Sequence, residues 1–284
     1  GLTLESELKI LRVIKKLKEN FSIPIKATFL GAHAIPNQYK EKRAEYIQLI
    51  IDKMIPEIAK EKLADYIDVF CEKGYFSLEN TSRVLQAATN YGLIPKIHVN
   101  QFNAFGGVAL GIKHNALSVD HLETLNEEDI AVLKNSETIP VALPGCSFFL
   151  NLPYTPARKI INSGLALAVA SDYNPGSAPS GNMNFIISLA CIKMNMTAEE
   201  AINAATINGA FAMNVSKDII ERMTEDAANN FINTFHDASA FNYQCTFNPL
   251  EKYIEAVEEN KRLYEELLKT EKEKFTLLQQ SVSK

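Results

Sequence analysis

The sequence predicts an α/β fold of the (β/α)8 barrel type, and three observations carry that prediction. First, short apolar runs alternate with helical periodicities six times over about 210 residues. Strict strand–helix alternation implies helical crossovers and a parallel sheet. Second, the strand runs read as apolar on both faces, as expected where helices cover the sheet. Third, ionisable residues recur where strands end: His33, Glu72, His98, His121 and Asp172. In a barrel all those ends meet in one ring, the active-site face. Histidine is not a favoured turn residue, so turn chemistry alone does not explain the pattern. A doubly wound open sheet is the competing arrangement.

Each element has its own warrant. Leu4, Leu8, Leu11 and Ile14 recur at helical spacing behind Thr3, a fitting N-cap, and predict a helix over 3–19. Residues 25–30 read as a strand ending at Gly31-Ala32-His33, and a helix follows over about 41–61. The run 66–71 is a strand ending at Glu72, and Ser77 opens a helix to about Tyr91. Residues 94–97 form a strand ending at His98-Val99-Asn100-Gln101, then a helix over 106–113. The strand 116–120 ends at His121-Leu122-Glu123, and Asn126 caps the next helix. Residues 138–143 are a strand ending at Pro144-Gly145, with a helix over 156–163. The run 165–170 is the last strand, and Thr197 caps a helix over about 198–212. A full barrel has eight strands and this count reaches six. The two missing units are expected to precede Gly1.

Composition bounds the rest. The chain has 284 residues, 46% hydrophobic and 22% charged, which is ordinary globular material. A net charge of −5 offers no basic face for nucleic acid. No apolar run approaches the roughly 18 residues of a membrane helix, and Gly1-Leu2-Thr3-Leu4-Glu5 reads as a helix start, not a signal peptide. Cys71, Cys146, Cys191 and Cys245 are widely spaced without a CxxC pair, as for buried thiols of a cytoplasmic protein.

The chemistry centres on Asp172, which closes an apolar run and opens the turn Tyr173-Asn174-Pro175-Gly176-Ser177. Alone it is equally a turn or cap residue. His98 and His121, at neighbouring strand ends, give with it two imidazoles and a carboxylate able to converge. Such nitrogen–oxygen sets bind Zn²⁺ or Fe²⁺. His114, behind Lys113, reads as a cationic residue at a helix C-terminus. Cys146 has no flanking base and reads as a buried thiol rather than a nucleophile. Glu72 is either a general acid or base, or a loop carboxylate paired with Lys73.

Several segments together resemble the imidazolonepropionase family of the amidohydrolase superfamily: residues 28–34 (TFLGAHA), 68–74 (DVFCEKG), 120–123 (DHLE), 171–176 (SDYNPG) and 203–208 (NAATIN). The resemblance spans residues 1 to about 214. It implies an amidohydrolase-type barrel with six of its eight strand–helix units, and hydrolysis of the ring amide of 4-imidazolone-5-propanoate to N-formimino-L-glutamate. One zinc or iron ion would activate water. His98 and Asp172 would be metal ligands. His121 and Asp172 would be catalytic, with His121 orienting the nucleophile or stabilising the oxyanion. His33, Gln101, Asn174, Gly176 and Ser177 would bind the small-molecule substrate, the last three at its propanoate end. Two features depart from the family. No His-x-His pair, which would supply the other two ligands, occurs in this sequence, so this chain by itself is expected to bind zinc or iron poorly and to show little activity. The β-sandwich return after Asn208 is also absent.

The composition therefore divides the chain into a barrel portion, 1–215, and a tail, 216–284. The tail has a polar, Asn-rich stretch, then a charged helix from Pro249 with Leu250, Ile254, Val257, Tyr264, Leu268, Phe275 and Leu278 at heptad spacing, broken by Lys261 and Glu271 at the two remaining seam positions. It predicts a coiled coil able to assemble a homo-oligomer, or an amphipathic helix packed on its own domain. A rival function follows: a non-catalytic interaction protein with a decayed barrel and an oligomerising tail.

Overall fold

A computed structural model describes residues 2–215. The predicted coiled coil and the 216–284 boundary lie outside the described residues.

Helix α1 (Leu4–Asn20) opens the chain, with Thr3 Oγ1 accepting from the Ser6 amide as its N-cap. Strand β1 (Thr28–Ala32) follows. The helix over 41–61 is one rod in three pieces: α2 (Arg43–Leu49), a π-helical turn (Ile50–Met54) and α3 (Ile55–Lys60). Pro56 at the start of α3 lacks an amide hydrogen, so the backbone widens where that hydrogen bond is lost. Then come β2 (Tyr66–Cys71), α4 (Leu78–Asn90), β3 (Ile94–Val99), α5 (Gly107–Lys113), β4 (Ser118–His121) and α6 (Glu127–Leu133). Strand β5 (Ile139–Ala142), α7 (Pro144–Leu150), α8 (Ala157–Asn162) and β6 (Ala168–Val169) complete the sheet. Helices α9 (Met183–Met194), α10 (Ala198–Ala205) and α11 (Ile207–Ala212) close the described residues.

All six strands are parallel and lie in sequence order, β1 to β6, so each crossover places a helix on the outer face. Among the described residues β1 and β6 are the sheet's two edges.

Three expectations need correction. The strands are not apolar on both faces. Ile67, Val69, Cys71, Ile97, Val99 and Val119 pack into the core beneath the helices. The opposite face carries Asp68, Lys96, His98, Ser118 and Asp120, in register across β2, β3 and β4. The helix over 198–212 breaks at Thr206, whose φ of −116° and ψ of −83° are not helical. Helices α7 and α9 stand where none was expected; α9 is apolar around its girth, so it shows no amphipathic period. No helix of the described residues is long and apolar enough to cross a membrane.

Glycine matters at two contacts. A Cβ on Gly107 would lie 2.8 Å from Val99 Cγ1, so only glycine lets α5 approach β3. A Cβ on Gly145 would meet Ile186 Cδ1 at 2.9 Å and Ser171 O at 3.2 Å, which seats α7 against the strand end bearing Asp172.

Candidate active site

The strand ends bring the expected residues to one place. The rings of His33 and His98 lie 6.2 Å apart, and those of His98 and His121 lie 5.2 Å apart. Phe70 stacks on His33 at 5.3 Å. Asp172 acts electrostatically on His98, and both His121 and His98 act on Asp172.

Two buried acids missed in the sequence stand closest to His98. Asp68 from β2 bonds His98 Nδ1 at 2.9 Å, and Asp120 is its register neighbour on β4. Asp68, His98 and Asp120 each offer one ligand-type atom, all within 4.8 Å of one another. Asp172 does not join that cluster. Ser118 Oγ donates to Asp120 Oδ1 at 2.7 Å. The visible signal was the two-residue alternation Tyr66, Asp68, Phe70, with acids spaced to face the strand-end histidines.

The charges are mutually compensating. Burial opposes charge on His98, but Asp68, Asp120 and Asp172 outweigh it and push the imidazole up to about 9. Burial likewise opposes ionisation of Asp68, yet His98 beside it holds the carboxyl below its ordinary range. At Asp172 burial wins over both histidines, and the carboxyl is raised. His33 is lowered, first by burial and then by the neighbouring His98.

The backbone is strained on this face. Asn100, His121, Leu122 and Asp172 all have positive φ, at 57°, 86°, 68° and 51°. Non-glycine residues adopt that region seldom and at a cost, chiefly where surrounding structure enforces it. Here Thr155 Oγ1 donates to His121 O at 2.5 Å and Leu122 N to Val99 O at 3.2 Å. Asn100 Nδ2 donates to Asp129 Oδ2 at 2.7 Å.

The remaining expected residues fall around this centre. Gln101 is buried, and its Nε2 donates to Cys146 Sγ at 3.5 Å. Asn174 Oδ1 accepts from the amides of Gly176 and Ser177 at 2.9 and 2.8 Å, while Asn174 Nδ2 donates to Asp172 O at 2.8 Å. The turn is thereby tied to Asp172 through its own hydrogen bonds. Glu72 is not paired with Lys73 as an ion pair. It is 1% exposed and accepts from the amides of Lys73, Phe102 and Asn103, fixing the loop that carries Gln101. The expected cationic role of His114 is disfavoured: burial and Lys113 lower its imidazole, and its Nε2 bonds Ser82 Oγ at 2.8 Å. Cys146 is fully buried, as expected of an inert thiol, and burial pushes it up to about 12.

The chain resembles known proteins in sequence and in fold. The chain is 68% identical over 217 residues to an imidazolonepropionase of Flavobacterium johnsoniae, covering 76% of this chain and 53% of that one. An imidazolonepropionase of Brevibacillus brevis is 43% identical over 219 residues, covering 77% and 52%. The chain thus spans about half the length of the curated relatives it matches. No family model matches. Among solved structures, guanine deaminase from C. acetobutylicum superposes with a TM-score of 0.59 at 17% identity, covering 76% of this chain and 57% of that one. The 5-methylcytosine deaminase from Klebsiella pneumoniae does so with 0.58 at 13%, covering 74% and 57%. At these identities the likeness is one of fold. Over the matched 217 residues the chain is similar in sequence to these imidazolonepropionases, and it shares its fold with the two deaminases.

Proposed function

We propose that the protein is an imidazolonepropionase, a cytoplasmic hydrolase that opens the ring amide of 4-imidazolone-5-propanoate to give N-formimino-L-glutamate. The observation that carries the reading is the convergence of His98, His121 and Asp172 from the ends of β3, β4 and β6, in a chain 68% identical over 217 residues to a named imidazolonepropionase.

Nitrogen and oxygen donors of this kind suit zinc or iron, and His98 with Asp172 would make half of a four-ligand set. Those two residues would hold the ion, and the cluster of Asp68, His98 and Asp120 adds two carboxylates close to the imidazole. When bound, such an ion lowers the pKa of a water and polarises a carbonyl. The protein's own residues do the rest. Asp172, raised by burial, is suited to accept a proton at its carboxylate oxygen and return it to the leaving nitrogen. His121, 5.2 Å ring to ring from His98, would orient the attacking water or the oxyanion. His33 and Gln101 would contact the imidazolone ring. The amides of Gly176 and Ser177, with Asn174, would hold the propanoate. That carboxylate would replace Asn174 Oδ1 as acceptor for two N–H groups. Gln101 cannot shuttle a proton, so its part is binding.

The test is direct. The full chain, loaded with Zn²⁺ or Fe²⁺, is mixed with freshly generated 4-imidazolone-5-propanoate, and the imidazolone absorbance is followed. Metal-dependent loss of absorbance that D172N abolishes supports the reading. Stoichiometric metal without any turnover counts against it.

A further inference from the structure

We propose that Glu123 is a positioning residue that fixes the tautomer of His121 and thereby decides which of the two roles open to that histidine it plays. The inference rests on the hydrolase reading above.

The geometry is unusual in three ways. The Glu123 side chain is 0% exposed and that of His121 only 4%. Glu123 Oε1 lies 3.2 Å from His121 Nδ1 and accepts from Ser147 Oγ at 3.1 Å. Glu123 Oε2 is buried with no hydrogen-bond partner among the described residues. A buried carboxylate with an unmatched oxygen is costly, and a plain scaffold would replace it with an apolar side chain. The chain also spends backbone strain at the same point, since His121 and Leu122 are both left-handed. The arrangement holds one imidazole in one orientation.

With Glu123 as the acceptor, the hydrogen between it and His121 sits on Nδ1. Nε2 of the neutral ring is then bare. A bare nitrogen accepts a hydrogen bond from water and cannot donate one to an oxyanion. Glu123 therefore assigns the neutral His121 to orienting the nucleophile. If the water's proton passes to Nε2, an imidazolium forms that keeps its Nδ1–H on Glu123, and the new charge faces a carboxylate it already touches. Ser147 holds that carboxylate in place through the same oxygen.

The experiment is imidazole-nitrogen NMR on the ¹⁵N-labelled full chain, wild type and E123Q, at a pH where the ring is neutral, with His121 assigned through H121Q. The expected wild-type pattern is a proton on Nδ1 and a bare Nε2. E123Q should move His121 toward the Nε2–H form or an average of the two, with an unchanged circular dichroism spectrum. A wild-type His121 protonated on Nε2, or a variant spectrum equal to that of wild type, overturns the proposal. If E123Q does not fold, the wild-type tautomer alone decides. Turnover gives a second reading: E123Q should lower kcat on the order of 100-fold with KM little changed. An unchanged kcat in an active enzyme overturns the proposal. A wild-type chain with the expected tautomer but no imidazolone hydrolysis supports Glu123 positioning and counts against the substrate instead.

Discussion

Asp68 bonds His98 Nδ1 at 2.9 Å, although the register partner of His98 on β2 is Phe70. The acid reaches diagonally from one step down the strand. It orients the imidazole through Nδ1. Carboxylates behind metal-binding histidines typically change affinity about 10- to 100-fold when removed. D68N should therefore weaken Zn²⁺ binding by that factor, read by competition with a chromophoric chelator. Unchanged affinity would show that Asp68 serves the apo fold only.

The same pair sets a pH dependence in protein stripped of metal. His98 is raised to about 9, above an unfolded value of about 6.5. Its contribution is complete below about pH 6.5 and is lost as pH rises through about 9. Asp68 is lowered, so its share is present above an unfolded value near 4 and is lost only as pH falls through its folded value. Melting temperature of the stripped chain should decline from pH 6.5 to 9.5. H98Q should flatten that decline; an equally steep one in H98Q would refute the assignment.

Glu72 tests the loop. Its carboxylate takes the amides of Phe102 and Asn103 at 3.0 and 3.3 Å while 1% exposed. E72A leaves those donors without their acceptor and should cost about 1–3 kcal/mol in urea unfolding. Because Gln101 adjoins them, substrate KM should also rise. A loss under half that size would mean water replaces the carboxylate.

At the opposite end of the sheet, Tyr66 Oη donates to Met213 O at 2.5 Å and Lys96 Nζ to Ala212 O at 3.2 Å. These bonds satisfy carbonyls at the C-terminus of α11. Y66F should cost about 0.5–1.5 kcal/mol and raise amide exchange in residues 207–212, with the strand-end site unaffected. Equal exchange in wild type and variant would remove this role.

Burial pushes the Cys71 thiol up to about 11 and the Cys146 thiol to about 12, whereas Cys191 is only half-buried. Thiolate is the reactive form. Iodoacetamide at pH 8, followed by peptide mass spectrometry, should mark Cys191 well before Cys71 or Cys146. Early labelling of Cys146 would make it a candidate nucleophile again.

Much of this arrangement was legible in the sequence because it rests on local signals. Alternation predicted six parallel strands, and Ser77, Asn126 and Thr197 cap helices where expected, the last two in capping boxes. His33, His98, His121 and Asp172 meet because strand ends meet in this fold. What stayed hidden depends on facing and strain. Asp68 and Asp120 looked like punctuation in apolar runs, and only the strand register turns them toward His98. Helix α9 lacked a polar face to give it a period. The left-handed φ of His121 leaves no trace in composition. The break at Thr206 was invisible because Ala, Ile and Asn on either side suit one continuous helix.

Strand β6 has only two residues, paired to β5 at Ala168 and Val169, whereas β3 is paired along its length to β2 and beyond to β4. Beyond the ladder, Asn208 Nδ2 holds Leu167 O at 2.8 Å, and Ala170 N donates to Ala142 O at 3.1 Å. The two histidines therefore stand on deeply anchored backbone, and Asp172 on backbone that a few bonds secure. Local opening follows the fewest bonds, so the aspartate and the turn behind it form the part of the site that can part from the rest and return. Of the two sides of the site, the imidazole side is the more firmly held.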